Sequence, residues 1–252
     1  MDPLVSVITT VYNCERYIDV SLRSILSQEF TDFELIIAND GSTDKTWEIA
    51  TSFSDSRIIF CNDSENRRIP FRRNQAIEKA RGKYIAIHDG DDESLPIRLR
   101  MEVEWMEHYD NTFCVGSHAI KIDTDGNFQG FMAYPPKSHN EIVRKLLQGF
   151  NPLIDPSTLF KKKDFIELGG YTLDDNIYTV PDMDLWARAI LAEKQFCNLP
   201  IPLIRYRINP EGVTRKHKQE MIAAHKKVVH KFVQDLIAHD KQKYEERIRR
   251  YD

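Results

Sequence analysis

The sequence predicts an α/β fold built on a mostly parallel sheet flanked by helices, and three observations carry that prediction. Short β-branched apolar runs alternate with helix-periodic stretches through the first hundred residues, the order that gives a parallel sheet covered by helices. Polar and acidic clusters follow several of these runs, and open α/β sheets bind ligands beyond the carboxyl ends of their strands. The 252 residues, 41% hydrophobic and 29% charged, suit one soluble α/β domain with extensions, or at most two small ones.

Residues 4–10 (LVSVITT) read as a buried strand. Ile18, Leu22, Ile25 and Leu26 recur at helical spacing and predict an amphipathic helix over 15–28. Residues 34–38 (ELIIA) are a second strand ending at Asn39-Asp40-Gly41-Ser42, and a helix carrying Trp47, Ile49 and Ala50 starts near Thr43. A third strand over 57–61 (RIIFC) precedes a helix over 71–81, closed by Gly82 as its C′ residue. Residues 83–88 (KYIAIH) form a fourth strand that runs into Asp89-Gly90-Asp91-Asp92. Pro96 opens a helix reaching about Tyr109. Residues 113–123 and 127–134 flank Thr124-Asp125-Gly126 as a hairpin. A helix over 139–147, a strand near 156–160, a break at Gly169-Gly170 and a helix from about Asp182 follow. From Thr214 onward the chain reads helical and basic, with 11 Lys+Arg against 6 Asp+Glu. That segment therefore carries +5, and the remaining 213 residues carry −9 of the net −4.

The mild acidity argues against a dedicated nucleic-acid binder. Cysteines at 14, 61, 114 and 197 form no CxxC pair and no zinc spacing, so they read as buried thiols in a reducing cytosol. The start MDPLVSVITTVYN lacks a basic leader region, and no run of 18 apolar residues occurs, so neither a signal peptide nor a membrane span is expected. GxGxxG, the P-loop spacing, HExxH and GxSxG are absent. Asp123-Thr124-Asp125-Gly126 imitates part of a calcium loop, but Met132 stands where the bidentate glutamate belongs, so it reads as a turn.

Two acidic loops carry candidate chemistry. Asp89, Asp91 and Asp92 crowd three carboxylates onto one strand end, where they repel unless a cation or solvent offsets them. Magnesium or manganese, held by one or two carboxylates and by substrate phosphates, does so; an acidic surface turn is the plainer alternative. Asp40 and Asp44 follow the second strand. A carboxylate there accepts hydrogen bonds from a base or ribose, or else closes a turn and caps a helix.

Taken in order, PLVSVITTVYN, the helix ending in Gln28, FELIIANDGSTD, Arg72-Arg73-Asn74 and YIAIHDGDD resemble the family 2 inverting glycosyltransferases of GT-A fold. Leu168-Gly169-Gly170-Tyr171 and Asp182-Met183-Asp184-Leu185-Trp186-Ala187-Arg188 resemble that family's GGY and acidic-DLWxR elements, so the likeness spans roughly residues 3–190. It implies one GT-A domain over 1–213, with a nucleotide-sugar-binding half (1–95) and an acceptor half carrying the catalytic base (96–213). The basic extension is then 214–252. The resemblance further implies a nucleotide-sugar donor (most often a uridine diphosphate sugar), a divalent cation (manganese or magnesium) and a glycan or lipid-linked sugar acceptor. In that reading Thr9, Tyr12, Asp40, Arg73, Asp89 and Asp92 bind the donor, Asp91 holds the metal, and Asp182 is the general base.

Departures from the family pattern matter too. Pro181 replaces the family's preceding glutamate, and Asn209 stands where relatives frequently carry a histidine that holds the diphosphate, with His217 or Lys216 as substitutes. Arg67, Arg68, Arg72 and Arg73 make a cationic segment, suited to donor phosphates or an anionic acceptor, or else a solvated helix face. Asp184 is expected to pair with Arg188, while Trp186 and Arg188 pack and orient their helix. The implied setting is cytoplasmic polysaccharide or glycolipid synthesis. The C-terminal helix, with Met221, Val228, Val229, Phe232, Ile237 and Ile248 as apolar positions, then covers the core or meets an anionic membrane surface or an oligomer partner. A non-catalytic binder of this fold would lose Asp91 or Asp182, and both are present; a nucleotidyltransferase would show a glycine-rich loop, and residues 9–16 hold no glycine.

Overall fold

The computed structural model describes residues 2–132, 135–210, 212 and 217–249, with side chains described through residue 240. The first half runs β1 (Val5–Val11), α1 (Ile18–Leu26), β2 (Phe33–Asn39), α2 (Thr46–Thr51), β3 (Ile58–Cys61), α3 (Ile69–Lys79) and β4 (Tyr84–Asp89). The second half adds β5 (Glu93–Ser94), α4 (Arg98–His108), β6 (Thr112–Ile122), β7 (Phe128–Phe131) and α5 (His139–Leu147). A 3-10 turn (Asp155–Ser157) then leads to β8 (Leu159–Lys161), α6 (Lys162–Glu167), α7 (Pro181–Leu191), β9 (Gln195–Arg207) and α8 (Lys218–Arg249).

One nine-stranded sheet runs β3-β2-β1-β4-β8-β6-β9-β5, with β7 paired to β6. β3, β2, β1 and β4 are parallel, as the alternating pattern requires, and β9 is parallel to β6. β8 enters antiparallel between β4 and β6 and so joins the two halves. Every residue of β2 is buried, because both faces of the sheet are covered. Ile8, Ile36, Ile85 and Ile87 belong to the core that holds Phe113, Phe160 and Trp186, while Val5, Val7, Leu35 and Ile37 pack with Ile18 and Leu22 of α1.

The four strands expected in the first half are present, and α1, α3, α4 and α5 lie close to the expected stretches. α2 starts at Thr46 instead of Thr43, because the intervening polar residues bind the loop after β1. Asn13 Oδ1 accepts from Thr43 N at 2.8 Å, and Asp44 accepts from Glu15 N at 3.1 Å and from Thr46 N at 2.9 Å. The expected hairpin is β6–β7. Asp123 Oδ1 accepts from the backbone N–H groups of Asp125 and Asn127, both at 2.9 Å, which makes the segment a turn. The last two residues of the strand expected over 127–134 lie outside the described residues.

β5, α6 and β9 are additions to the expected elements. β9 contains Pro200 and Pro202, which disguise a strand, and its pairing with β6 slips where Ser117 faces Leu199 but His118 faces Pro202. That irregularity accommodates residues that cannot donate to the ladder. All four cysteines are free. Ala224, Val228 and Phe232 of α8 are buried against Leu146 of α5 and against Val180, Met183 and Ala187 at α7. The apolar face of this helix therefore covers the core, while Ile237 is 64% exposed and Ile248 lies outside the described side chains. Among the described residues no helix is long and apolar enough to cross a membrane.

Candidate active site

β1, β2 and β4 end side by side, and their register decides which side chains face the cleft. Thr9 is level with His88, and Thr10 with Asp89. Neighbours level with each other in a sheet share a face, and successive residues alternate. His88 faces α1, where its Nε2 lies 2.9 Å from Ser21 Oγ, so Thr9 lies beneath α1, fully buried. The structure therefore does not bring the Thr9 side chain onto the face of Asp89. Thr10 is the threonine on the face of Asp89; among the described residues the buried hydroxyls of Thr9 and Thr10 both have no hydrogen-bond partner. Tyr12, the first residue beyond β1, is 49% exposed.

Asp40 is buried at the end of β2, and its Oδ1 accepts from Arg67 N at 2.9 Å and from Arg72 Nε at 3.2 Å. Arg72 is itself buried and also donates to Asp63 Oδ2 (2.8 Å), Gln75 Oε1 (2.7 Å) and Glu65 O (3.0 Å). It straps the loop after β3 onto β2, which is neither a solvated face nor a free phosphate ligand. Arg67 lies 3.6 Å over the Phe71 ring, and Arg68 pairs with Asp175 at 2.7 Å beside Tyr178.

Arg73, buried in α3, ties the two halves of the molecule together. Its Nη2 donates to Asp89 Oδ1 at 2.7 Å, and its Nη1 donates to Asp155 in the 3-10 turn before β8. Burial opposes the guanidinium charge, but the carboxylates of Asp155 and Asp89 outweigh it and hold Arg73 firmly protonated. The adjacent Asn74 grips Tyr171, donating to its carbonyl at 2.8 Å and accepting from its N–H at 2.9 Å. A Cβ at Gly170 would come within 2.9 Å of Asn74 Oδ1, and the residue sits at φ +71°, so a glycine is required there. The Arg-Arg-Asn and Gly-Gly-Tyr segments therefore meet at one place.

Asp182 occupies the first turn of α7 and accepts from Asn151 Nδ2. Burial raises its carboxyl above the ordinary range, against the Asn151 hydrogen bond. Asp155 is pushed up by burial as well, with the charges of Asp182 and Asp89 adding to it and Arg73 opposing. Asp155 was not among the residues the sequence singled out, because Asp-Pro-Ser before a strand reads as an ordinary turn. Asp184 instead accepts from Arg188 Nε at 2.8 Å, as expected, and Arg188 also donates to Gly170 O at 2.7 Å. Trp186 is wholly buried among Phe113, Phe160 and Phe196.

The acidic loop after β4 divides by role. Burial lifts Asp91 to about 6, the charge of Asp89 adds to the shift, and Asn209 Nδ2 lies 3.4 Å from its Oδ2. Asn209 thus stands at the loop, whereas His217 contacts Glu220 at 3.0 Å and Tyr178 at 3.3 Å; Lys216 is outside the described residues. Asp92 is buried and turned toward β9, where its Oδ1 accepts from Arg207 N at 2.8 Å. That contact braces the loop against β9, while Asp92 Oδ2 is buried with no hydrogen-bond partner among the described residues. Among the described residues no three His, Cys, Asp or Glu side chains are gathered to enclose a metal ion alone. The donor chemistry still fits magnesium or manganese, which take one or two carboxylates and complete their shell with phosphate oxygens and water.

Comparison with known proteins agrees with this geometry. Residues 6–169 match the profile described as Glycosyl transferase family 2. The putative glycosyltransferase EpsE of Bacillus subtilis is 31% identical over 217 residues, covering 85% of this chain and 76% of that protein. An Escherichia coli enzyme, the UDP-Glc:alpha-D-GlcNAc-diphosphoundecaprenol beta-1,3-glucosyltransferase WfaP, is 34% identical over 134 residues, 53% of each chain. S. aureus TarS residues 1–349, solved with UDP-GlcNAc, superposes with a TM-score of 0.69 at 17% identity, covering 94% of this chain and 73% of that one. The mannosyltransferase PcManGT of Pyrobaculum calidifontis, solved with GDP-Man and Mn2+, gives 0.63 at 16% identity, covering 96% and 76%. On the family match and the likeness in sequence and fold to these proteins, the chain belongs to glycosyl transferase family 2 and has the GT-A fold.

Proposed function

We propose that the protein moves a sugar from a uridine diphosphate sugar to a hydroxyl of a glycan or lipid-linked sugar, inverting the anomeric carbon in a single displacement. The observation that carries this reading is the chain of charged groups Asp89–Arg73–Asp155 leading toward Asp182, which links the nucleotide half to the α7 carboxylate. The donors and acceptor named for TarS, PcManGT and WfaP support the substrate classes.

In this reading Tyr12, Thr10 and Asp40 meet the base and ribose, and Asp89 meets the donor on the side of Arg73. Asp91 would hold the cation, and Asn209 beside it the diphosphate. A divalent cation there supplies Lewis acidity to the departing diphosphate. Asp182 takes the proton of the acceptor hydroxyl as its oxygen bonds the anomeric carbon and the carbon–oxygen bond to diphosphate breaks. Base catalysis of this kind is typically worth ~10²–10⁴-fold, and burial brings the Asp182 carboxyl closer to neutral pH. Polysaccharide or glycolipid synthesis on the cytoplasmic side of a membrane is the setting this chemistry serves.

The test is product analysis after incubation with uridine diphosphate sugars, manganese and an acceptor panel. Nucleoside diphosphate release is expected. Pyrophosphate release would make the protein a nucleotidyltransferase, and saturable donor binding without turnover would make it a binding protein.

A further inference from the structure

α8 presents two adjacent stripes: one is buried in the core, and from the other Val229 also packs partly against it. Ala224, Val228 and Phe232 are buried against α7, whereas Ile222, Val229 and Val233, one step around the helix, line an open groove of about 620 Å³. Its opposite wall is the end of α5 and the loop after it, with Leu147 and Phe150. Phe150 and Ile222 are 56% and 46% exposed.

Two further features say what fits. First, the groove adjoins the candidate base: Asn151, next after Phe150, donates to Asp182, and His225 in the groove lies near enough to feel the Asp182 charge. Second, two lysines stand at its rim, Lys226 lining it and Lys145 Nζ 4.6 Å over the Phe150 ring. Five apolar side chains are poor partners for a sugar alone, and a bare membrane surface would not require continuity with Asp182. An apolar chain joined to a phosphate matches both lining and rim.

We propose that this groove is the acceptor's lipid subsite, holding the apolar chain of a phosphate-linked lipid acceptor on α8 while its sugar hydroxyl reaches Asp182. The proposal rests on the glycosyltransferase reading and deepens it. It assigns acceptor selection to the α5–α8 wall, apart from the loops that read the donor.

Farnesyl phosphate, kept below its aggregation concentration, is the probe for calorimetry on the full chain, with farnesol and inorganic phosphate as controls. Saturable binding at least tenfold tighter than either control is expected, weakened tenfold or more in Phe150→Ser and in Ile222→Ser. Both positions are exposed, so the variants should fold, and unchanged affinity for uridine diphosphate with manganese verifies that they do. Equal farnesyl phosphate binding by wild type and variants, or none by wild type, overturns the proposal. Binding only to phosphatidylglycerol vesicles, or a dimer dissolved by the same variants, overturns it in favour of a membrane face or a self-interface. If wild type fails to bind uridine diphosphate, the glycosyltransferase reading fails instead, whatever the lipid result.

Discussion

On α7, positions two apart point about 200° from each other, so Asp182 and Asp184 cannot share one direction. The structure pairs Asp182 with Asn151 and Asp184 with Arg188. Asp182→Asn keeps the volume but cannot accept a proton, so turnover should fall about 10²-fold or more with donor affinity near wild type. Asp184→Asn should instead lower stability by about 1–3 kcal/mol, through loss of a charge-assisted bond, with turnover nearly kept. Steady-state kinetics and urea unfolding on the two variants separate the roles, and the reverse pattern would reassign the base. The pH dependence follows from the same group. As the proposed base Asp182 must be ionised, and burial raises its pKa, so kcat/KM should fall on acidification at a higher pH than an ordinary carboxylate near ~3.9 would dictate. Removing the Asn151 hydrogen bond removes a group that favours the ionised form. Asn151→Ala should therefore move the acidic limb of the pH–rate profile upward; because Asp155 interacts with Asp182, that limb reports the pair. The sequence displays Asp89, Asp91 and Asp182 as carboxylates in a recognisable order. It cannot say which of two adjacent threonines turns inward, since Thr9 and Thr10 differ only by the strand's phase, and it hides Asp155 until β8 is placed beside β4.

At the scale of elements, α8 is held by a few large contacts. Phe232 is almost wholly buried against the α7 region, so Phe232→Ala should cost about 3–5 kcal/mol, whereas Ile237→Ala should stay within about 0.5 kcal/mol. Urea unfolding of both variants checks this, and equal small effects would mean that the helix is not docked in solution. α8 was legible as a helix from its periodicity, but its docked face was only one of three open uses, because several faces carry apolar residues. β1 to β4 were legible because buried parallel strands are continuous apolar runs. β9 was not: its prolines argue against a central strand, and only a bulged ladder with β6 accommodates them.

For the whole molecule, the sheet joins two chemistries. The parallel half ends in the loops of Tyr12, Asp40 and Asp91, and the mixed half delivers Asp155 and Asp182; β8 and Arg73 fix one against the other. The central claim is that Asp91 makes donor binding depend on a divalent cation. Calorimetry of uridine diphosphate binding to wild type and to Asp91→Ala, each with manganese and with chelator, tests it most directly. Wild type should bind at least tenfold tighter with manganese, and Asp91→Ala should lose that gain; equal affinity of wild type with manganese and with chelator would contradict the account.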